Sequence, residues 1–129
     1  MYLALYLYPV PPEDEAELID VFDRVSAVAI SHGALADASF RPADLAAKYG
    51  LRGLDALPAP ERTRWWAGLM LYRSREHFEQ VISAFDADPE VVYLYDEFEA
   101  LVDPAWCLRG EFELAAGGFA SDVEATPEG

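Results

Sequence analysis

The chain has 129 residues, 53% apolar and 26% charged, which fits one globular domain with an ample core. Its 24 acids against 9 bases give a formal net charge of −15, which rules against the cationic footprint that nucleic acid needs and against an anionic membrane surface. The single cysteine, Cys107, excludes an internal disulfide; with no histidine near it in sequence it reads as a small buried hydrophobe. The apolar N-terminus meets Pro9 too early for a signal peptide or a span, so a reducing cytoplasm is the expected location.

The chain opens on Met1-Tyr-Leu-Ala-Leu-Tyr-Leu-Tyr8, a first strand. Leu3, Leu5 and Leu7 share one face; Tyr2, Ala4, Tyr6 and Tyr8 share the other. Pro9, Pro11 and Pro12 end it, and Glu13, Asp14, Glu15 and Glu17 place negative charge at a helix N-terminus. Leu18, Phe22, Val25 and Ala29, with Val21 and Val28 beside them, form a helical stripe that stops at Gly33. Residues 34–40 read as a second strand, 43–49 as a short helix after Pro42, and 50–61 as a loop.

In the third strand, Trp65, Ala67, Leu69 and Leu71 alternate with Trp66, Gly68, Met70 and Tyr72. Ser74 suits the N-cap of the next helix, whose buried stripe is Phe78, Val81, Ile82 and Phe85. Asp88-Pro89-Glu90 starts another helix, with an Asp cap and Pro at the first position. Residues 91–95 alone would pass for a strand; the longer spacing of Val91, Leu94, Tyr95, Phe98, Leu101 and Val102 favours a helix. Residues 106–114 form the fourth strand, with Trp106, Leu108, Phe112 and Leu114 on one face and Cys107, Arg109, Glu111 and Glu113 on the other. Residues 117–129 are small, polar and acidic, and a disordered tail is expected after a single domain over 1–116.

Strand, helix and strand thus occur twice. The expected fold is α+β: a ferredoxin-like βαβ-βαβ sandwich, a four-stranded antiparallel sheet with helices on one face. Helices cover only one face, and both faces of strands one and three are apolar. The tyrosine face is assigned to the outside, as a patch buried by a second copy in a homodimer.

Several landmarks resemble the small bacterial DUF1428 (YbaA-like) proteins. They are Tyr2-Leu-Ala-Leu-Tyr-Leu-Tyr-Pro-Val10, His32-Gly-Ala-Leu35, Tyr72 just before Ser74, Asp88-Pro89 and Arg109-Gly-Glu-Phe-Glu113. The similarity runs to about residue 114, and residues 41–49 depart from that family's pattern. It implies a ferredoxin-like subunit of the dimeric α/β-barrel superfamily, sheet packed on sheet, and no established activity. Relatives in that superfamily include small-quinone monooxygenases, haem-degrading enzymes and NIPSNAP-like proteins.

The chemistry-bearing residues are sparse. His32 sits where a helix C-terminus favours an imidazolium. His77 lies in the first turn of its helix, and the stretch where haem-degrading relatives carry their iron ligand has no histidine here, so neither metal nor cofactor is expected. The acids at 13–17 and 96–99 read as solvated helix faces. Arg109 reads either as the partner of Glu111 or Glu113, or as a guanidinium beside aromatic rings that holds a ligand anion. Tyr6, Tyr8, Trp66, Met70, Tyr72 and Arg109 are the expected lining of a dimer-interface cavity for a small apolar or aromatic molecule. A non-catalytic dimeric module with a filled interface is the alternative. A monooxygenase or isomerase without a cofactor is a further one.

Overall fold

The structure, a computed structural model, describes residues 1–120. Nine alternating residues form β1 (Tyr2–Val10), and Pro11 and Pro12 turn the chain into α1 (Glu15–Ser31). There follow β2 (Ala36–Phe40), β3 (Arg64–Tyr72), α2 (Arg75–Asp86), α3 (Pro89–Leu101) and β4 (Leu108–Glu113). The strands lie in the order β2-β3-β1-β4, and every neighbouring pair is antiparallel. This is the expected ferredoxin-like architecture, with a third helix inside the second half.

The caps fall where the sequence puts them. Ser74 accepts from the His77 N–H and Asp88 from the Glu90 N–H, with Pro89 opening α3. The run 91–95 is therefore helix: Val92 and Tyr93 are exposed and Leu94 is buried, which no alternation of period two would produce.

Residues 43–49 form no helix. The Asp44 side chain accepts from the Ala46 N–H, Lys48 pairs with Leu51, and Tyr49 takes a left-handed conformation with φ 55°. A short stretch without a face to bury cannot repay helix nucleation against a local side-chain turn. The connection folds onto itself beside Trp65 instead. Gly53 lies so close to Leu45 that a Cβ would sit 2.0 Å from its carbonyl oxygen, which no side chain could tolerate. β2 begins two residues later than expected and β4 at Leu108, because Trp106 belongs to the 3-10 turn Pro104–Trp106. The expected tail over 117–129 falls mostly outside the described residues.

The largest correction concerns which face the helices cover. Register pairs Tyr2 with Tyr72, Ala4 with Met70, Tyr6 with Gly68 and Tyr8 with Trp66, so strand parity is as expected. Yet the helices sit on this tyrosine face. The Tyr8 ring lies 5.3 Å from Phe22 of α1 and 5.4 Å from Phe98 of α3, and Tyr72 lies 5.1 Å from Phe78 of α2. The outward patch of Tyr6, Tyr8, Trp66 and Tyr72 therefore does not exist, and a dimer cannot form through it. Hydrophobicity could not choose between two apolar faces; the side on which the α1 crossover passes from β1 to β2 does, and the helix rings then meet the tyrosine rings.

The opposite face carries Leu3, Leu5, Leu7, Ala67 and Leu69, all half-buried, with Phe40, Leu108 and Phe112 exposed. Those apolar residues of β4 were expected under the helices and are not. Among the described residues no helix covers this face.

His77 is structural. It is buried, and the Arg73 N–H donates to its Nδ1 at 2.9 Å, which puts the ring proton on Nε2. Burial and the nearby Arg73 push its pKa down. A depressed histidine pKa supplies stability that is full above the unfolded value of about 6.5 and falls as the pH drops below it. Melting temperatures should decline between about pH 7 and 5, and that part of the decline should be absent from His77→Gln.

Candidate functional site

Packing tyrosines against phenylalanines leaves a gap. Two buried clusters form between sheet and helices, one around Tyr2, Ala29, Tyr72 and Val81, the other around Tyr8, Leu18, Trp66 and Val102; Tyr6 packs against both. Between them lies a cavity of about 450 Å³. Gly68 helps to shape it: the Tyr8 ring leans across β3 at this position, and a Cβ would come within 3.0 Å of it.

Five of the six residues singled out from sequence, Tyr6, Tyr8, Met70, Tyr72 and Arg109, line this one cavity. Trp66 does not; it packs beside Phe22 at 6.4 Å, in the core. The cavity lies inside the subunit, between sheet and helices, and not at an interface between sheets. That is a second consequence of the reversed faces.

The polar groups are few. Burial pushes the Tyr8 and Tyr72 hydroxyls well above the usual phenol range, so both stay neutral. The Tyr72 hydroxyl contacts the Met70 sulfur at 3.5 Å. Burial also pushes the Cys107 thiol up, to about 11, which keeps it protonated and a poor nucleophile.

Arg109 sits at the rim on the helix side of the sheet, not in a space between sheets. Its guanidinium lies 5.5 Å over the Tyr6 ring and its Nη2 is 2.5 Å from Glu111 Oε2. The Tyr2 hydroxyl also donates to Glu111, and together with Arg109 holds that carboxylate below its usual range. The ion pair with Glu111 and the stack on an aromatic ring, weighed as alternatives from the sequence, coexist.

Sequence reasoning missed Asp37. It projects from β2 among the aromatic rings of the cavity lining, and burial raises its pKa against the opposing hydrogen bond from Ser26. The signal was slight: one acid within Ala36-Asp-Ala-Ser-Phe40, opposite Met70 in the register. Phe22, Phe78, Phe85 and Phe98 were read as helix stripes; they are that and cavity wall at once.

His32 takes no part in the cavity. Its Nε2 lies 2.9 Å from Asp88 Oδ2 and ties the end of α1 to the cap of α3. Among the described residues no three His, Cys, Asp or Glu side chains gather as a metal set, and no helix is long and apolar enough to cross a membrane. Within the acidic stretch at 96–99, Glu97 is engaged by Arg24 of α1 at 2.8 Å.

The fold has relatives among solved structures. An antibiotic biosynthesis monooxygenase superposes with a TM-score of 0.58 at 9% identity, over 90% of this chain and 100% of its own. A protein from Agrobacterium tumefaciens superposes with a TM-score of 0.57 at 11% identity, over 89% of this chain and 94% of its own. At such identities the likeness is one of fold: the α+β, ferredoxin-like architecture of the antibiotic-biosynthesis-monooxygenase type. No family model and no curated protein sequence matches the chain.

Proposed function

We propose that this protein binds a small, flat, largely apolar molecule inside each subunit, in the cavity between the tyrosine face of the sheet and the three helices. The observation that carries this reading is the cavity itself: about 450 Å³ walled by aromatic rings, with Asp37, two tyrosine hydroxyls and Arg109 as its polar groups. Ligand sites are typically of this size and make-up. The alternative, a non-catalytic dimeric module with a filled interface, is the weaker reading, because it gives the void within each subunit no role. Oxygenation or isomerisation without a cofactor draws support from the fold shared with a monooxygenase, and from the cavity's shielded acid.

Two copies pair through the leucine face. It carries no charged side chain on any strand, so two chains of net charge −15 can meet there without like charges opposed. Kinship with the DUF1428 proteins is the finer family reading, supported by the landmarks at Tyr2, His32, Tyr72, Asp88 and Arg109.

Thermal-shift titration with flat aromatic compounds tests the cavity. Wild type should be stabilised by at least one, and Val25→Phe, which puts a ring into the space, should lose the shift while remaining folded by circular dichroism. Equal shifts in the two proteins would place the compound elsewhere and end this reading.

A further inference from the structure

The cavity has one polar group whose bonding is incomplete. Ser26 of α1 lies 2.8 Å from two oxygens of the same residue, the Asp37 main-chain carbonyl and Asp37 Oδ1. A serine hydroxyl has one proton. Shared between both, it makes only a weak three-centre bond to each; donated fully to one, it leaves the other contact as two acceptors facing each other unless a proton lies between them. The second carboxyl oxygen, Oδ2, is buried and has no partner among the described residues. No lysine, arginine or histidine among the described residues lies within ion-pair distance of Asp37. The groups around it are the Ser26 hydroxyl from α1, Met70 and Tyr72 from β3 and Tyr8 from β1.

A neutral carboxylic acid gives each of the two contacts a proton of its own. Ser26 donates to the Asp37 main-chain carbonyl, the Asp37 Oδ1–H donates to Ser26 Oγ, and Oδ2 is left as a carbonyl-type acceptor. Burial among aromatic rings favours that protonated form. A buried acceptor without a donor is costly and is seldom left so in a folded protein.

We propose that Asp37 is the recognition group of the cavity, a neutral acid whose free Oδ2 selects flat apolar ligands bearing one O–H or N–H donor. This deepens the proposal that the cavity binds a small molecule, and rests on it. The cavity discriminates by what the ligand donates: a bare carbonyl or ether of the same outline brings a second acceptor to Oδ2 and is rejected. Asp37 and Ser26 reach the same point from β2 and α1, so the acceptor is held by two elements; Oδ2 is covered by its neighbours, and a ligand donor reaches it as the side chains beside it part.

Indole and benzofuran are the probes, since they share an outline and differ in having a ring N–H or an ether oxygen. Calorimetric titration of wild type should show indole binding at least about 10-fold tighter, the size of one buried hydrogen bond. Asp37→Leu removes the acceptor and should bring the ratio close to one. Asp37→Asn should keep it, because an amide can donate N–H to Ser26 and present its oxygen to the cavity, as the neutral acid does. A preference that survives Asp37→Leu overturns the assignment. Loss of the preference in Asp37→Asn overturns the neutral form in favour of a carboxylate. Equal binding of the two probes by wild type overturns the role of Asp37 while leaving the cavity reading intact; failure of both to bind overturns the two together. Circular dichroism checks the fold, and Asp37→Ala replaces the leucine variant if that one does not fold.

Discussion

Leu5→Glu is expected to turn a dimer into a folded monomer. Leu5 lies at the middle of the uncovered face, paired with Leu69 of β3 on one side and Gly110 of β4 on the other. Nothing on that face offers a cation, so a glutamate there would be buried unpaired between two copies. Such a burial costs several kcal/mol or forces the surfaces apart. Light scattering should fall from twice the 14.3 kDa chain mass to once that mass. Far-UV circular dichroism should hardly change, because the subunit core lies on the other side of the sheet. Tyr6→Glu, one residue along, should behave differently: its charge enters the space under the helices and should weaken the fold itself. A wild type that is already monomeric at micromolar concentration would refute the pairing, as would a Leu5→Glu dimer.

The largest loss of stability is expected from Tyr72→Ala. Tyr72 is fully buried, packs edge-on against Phe78 at 5.1 Å and stands opposite Tyr2 in the register. Removing a buried aromatic ring beside an existing void costs about 3–5 kcal/mol, since the surroundings cannot collapse to fill it. Tyr72→Phe keeps the ring. The hydroxyl's one recorded contact is the Met70 sulfur, a weak acceptor, so its loss should cost about 1 kcal/mol or less. Urea denaturation of the two variants checks this. Equal destabilisation by both would mean that the hydroxyl, and not the ring, carries the packing.

Particular elements show how far the sequence could be read. The helix spacings, the Ser74 and Asp88 caps and the alternation in β1 and β3 depend on neighbours within a few residues, so they were legible and the fold followed. The choice of face was not. It depends on which side of β1 the α1 crossover passes, and the leucine and tyrosine rows of β1 satisfy burial equally well. That one inversion moved the expected cavity from between subunits to within one and turned Arg109 toward the helices. Tyr6, Tyr8, Met70 and Tyr72 nevertheless stayed together, because parity and register survive the inversion. Asp37 was out of reach for another reason. Its environment is built by Ser26, eleven residues away on α1, and by Tyr8 and Tyr72 across the sheet.

The sheet is a single layer of backbone with unlike occupants on its two sides. Leu5 and Tyr6 are adjacent in the chain, yet one looks out from the helix-free face, where a second copy is proposed to pair, and the other toward the interior void. Assembly and ligand occupancy are thus separated by the thickness of one strand. Diluting the protein through its dissociation range should leave the affinity of each subunit unchanged, and saturating the cavity should leave the dissociation midpoint where it was. Under that arrangement substitutions can drift on either side of β1 without a matching change on the other, so related chains would vary in ligand and in quaternary structure as two independent characters.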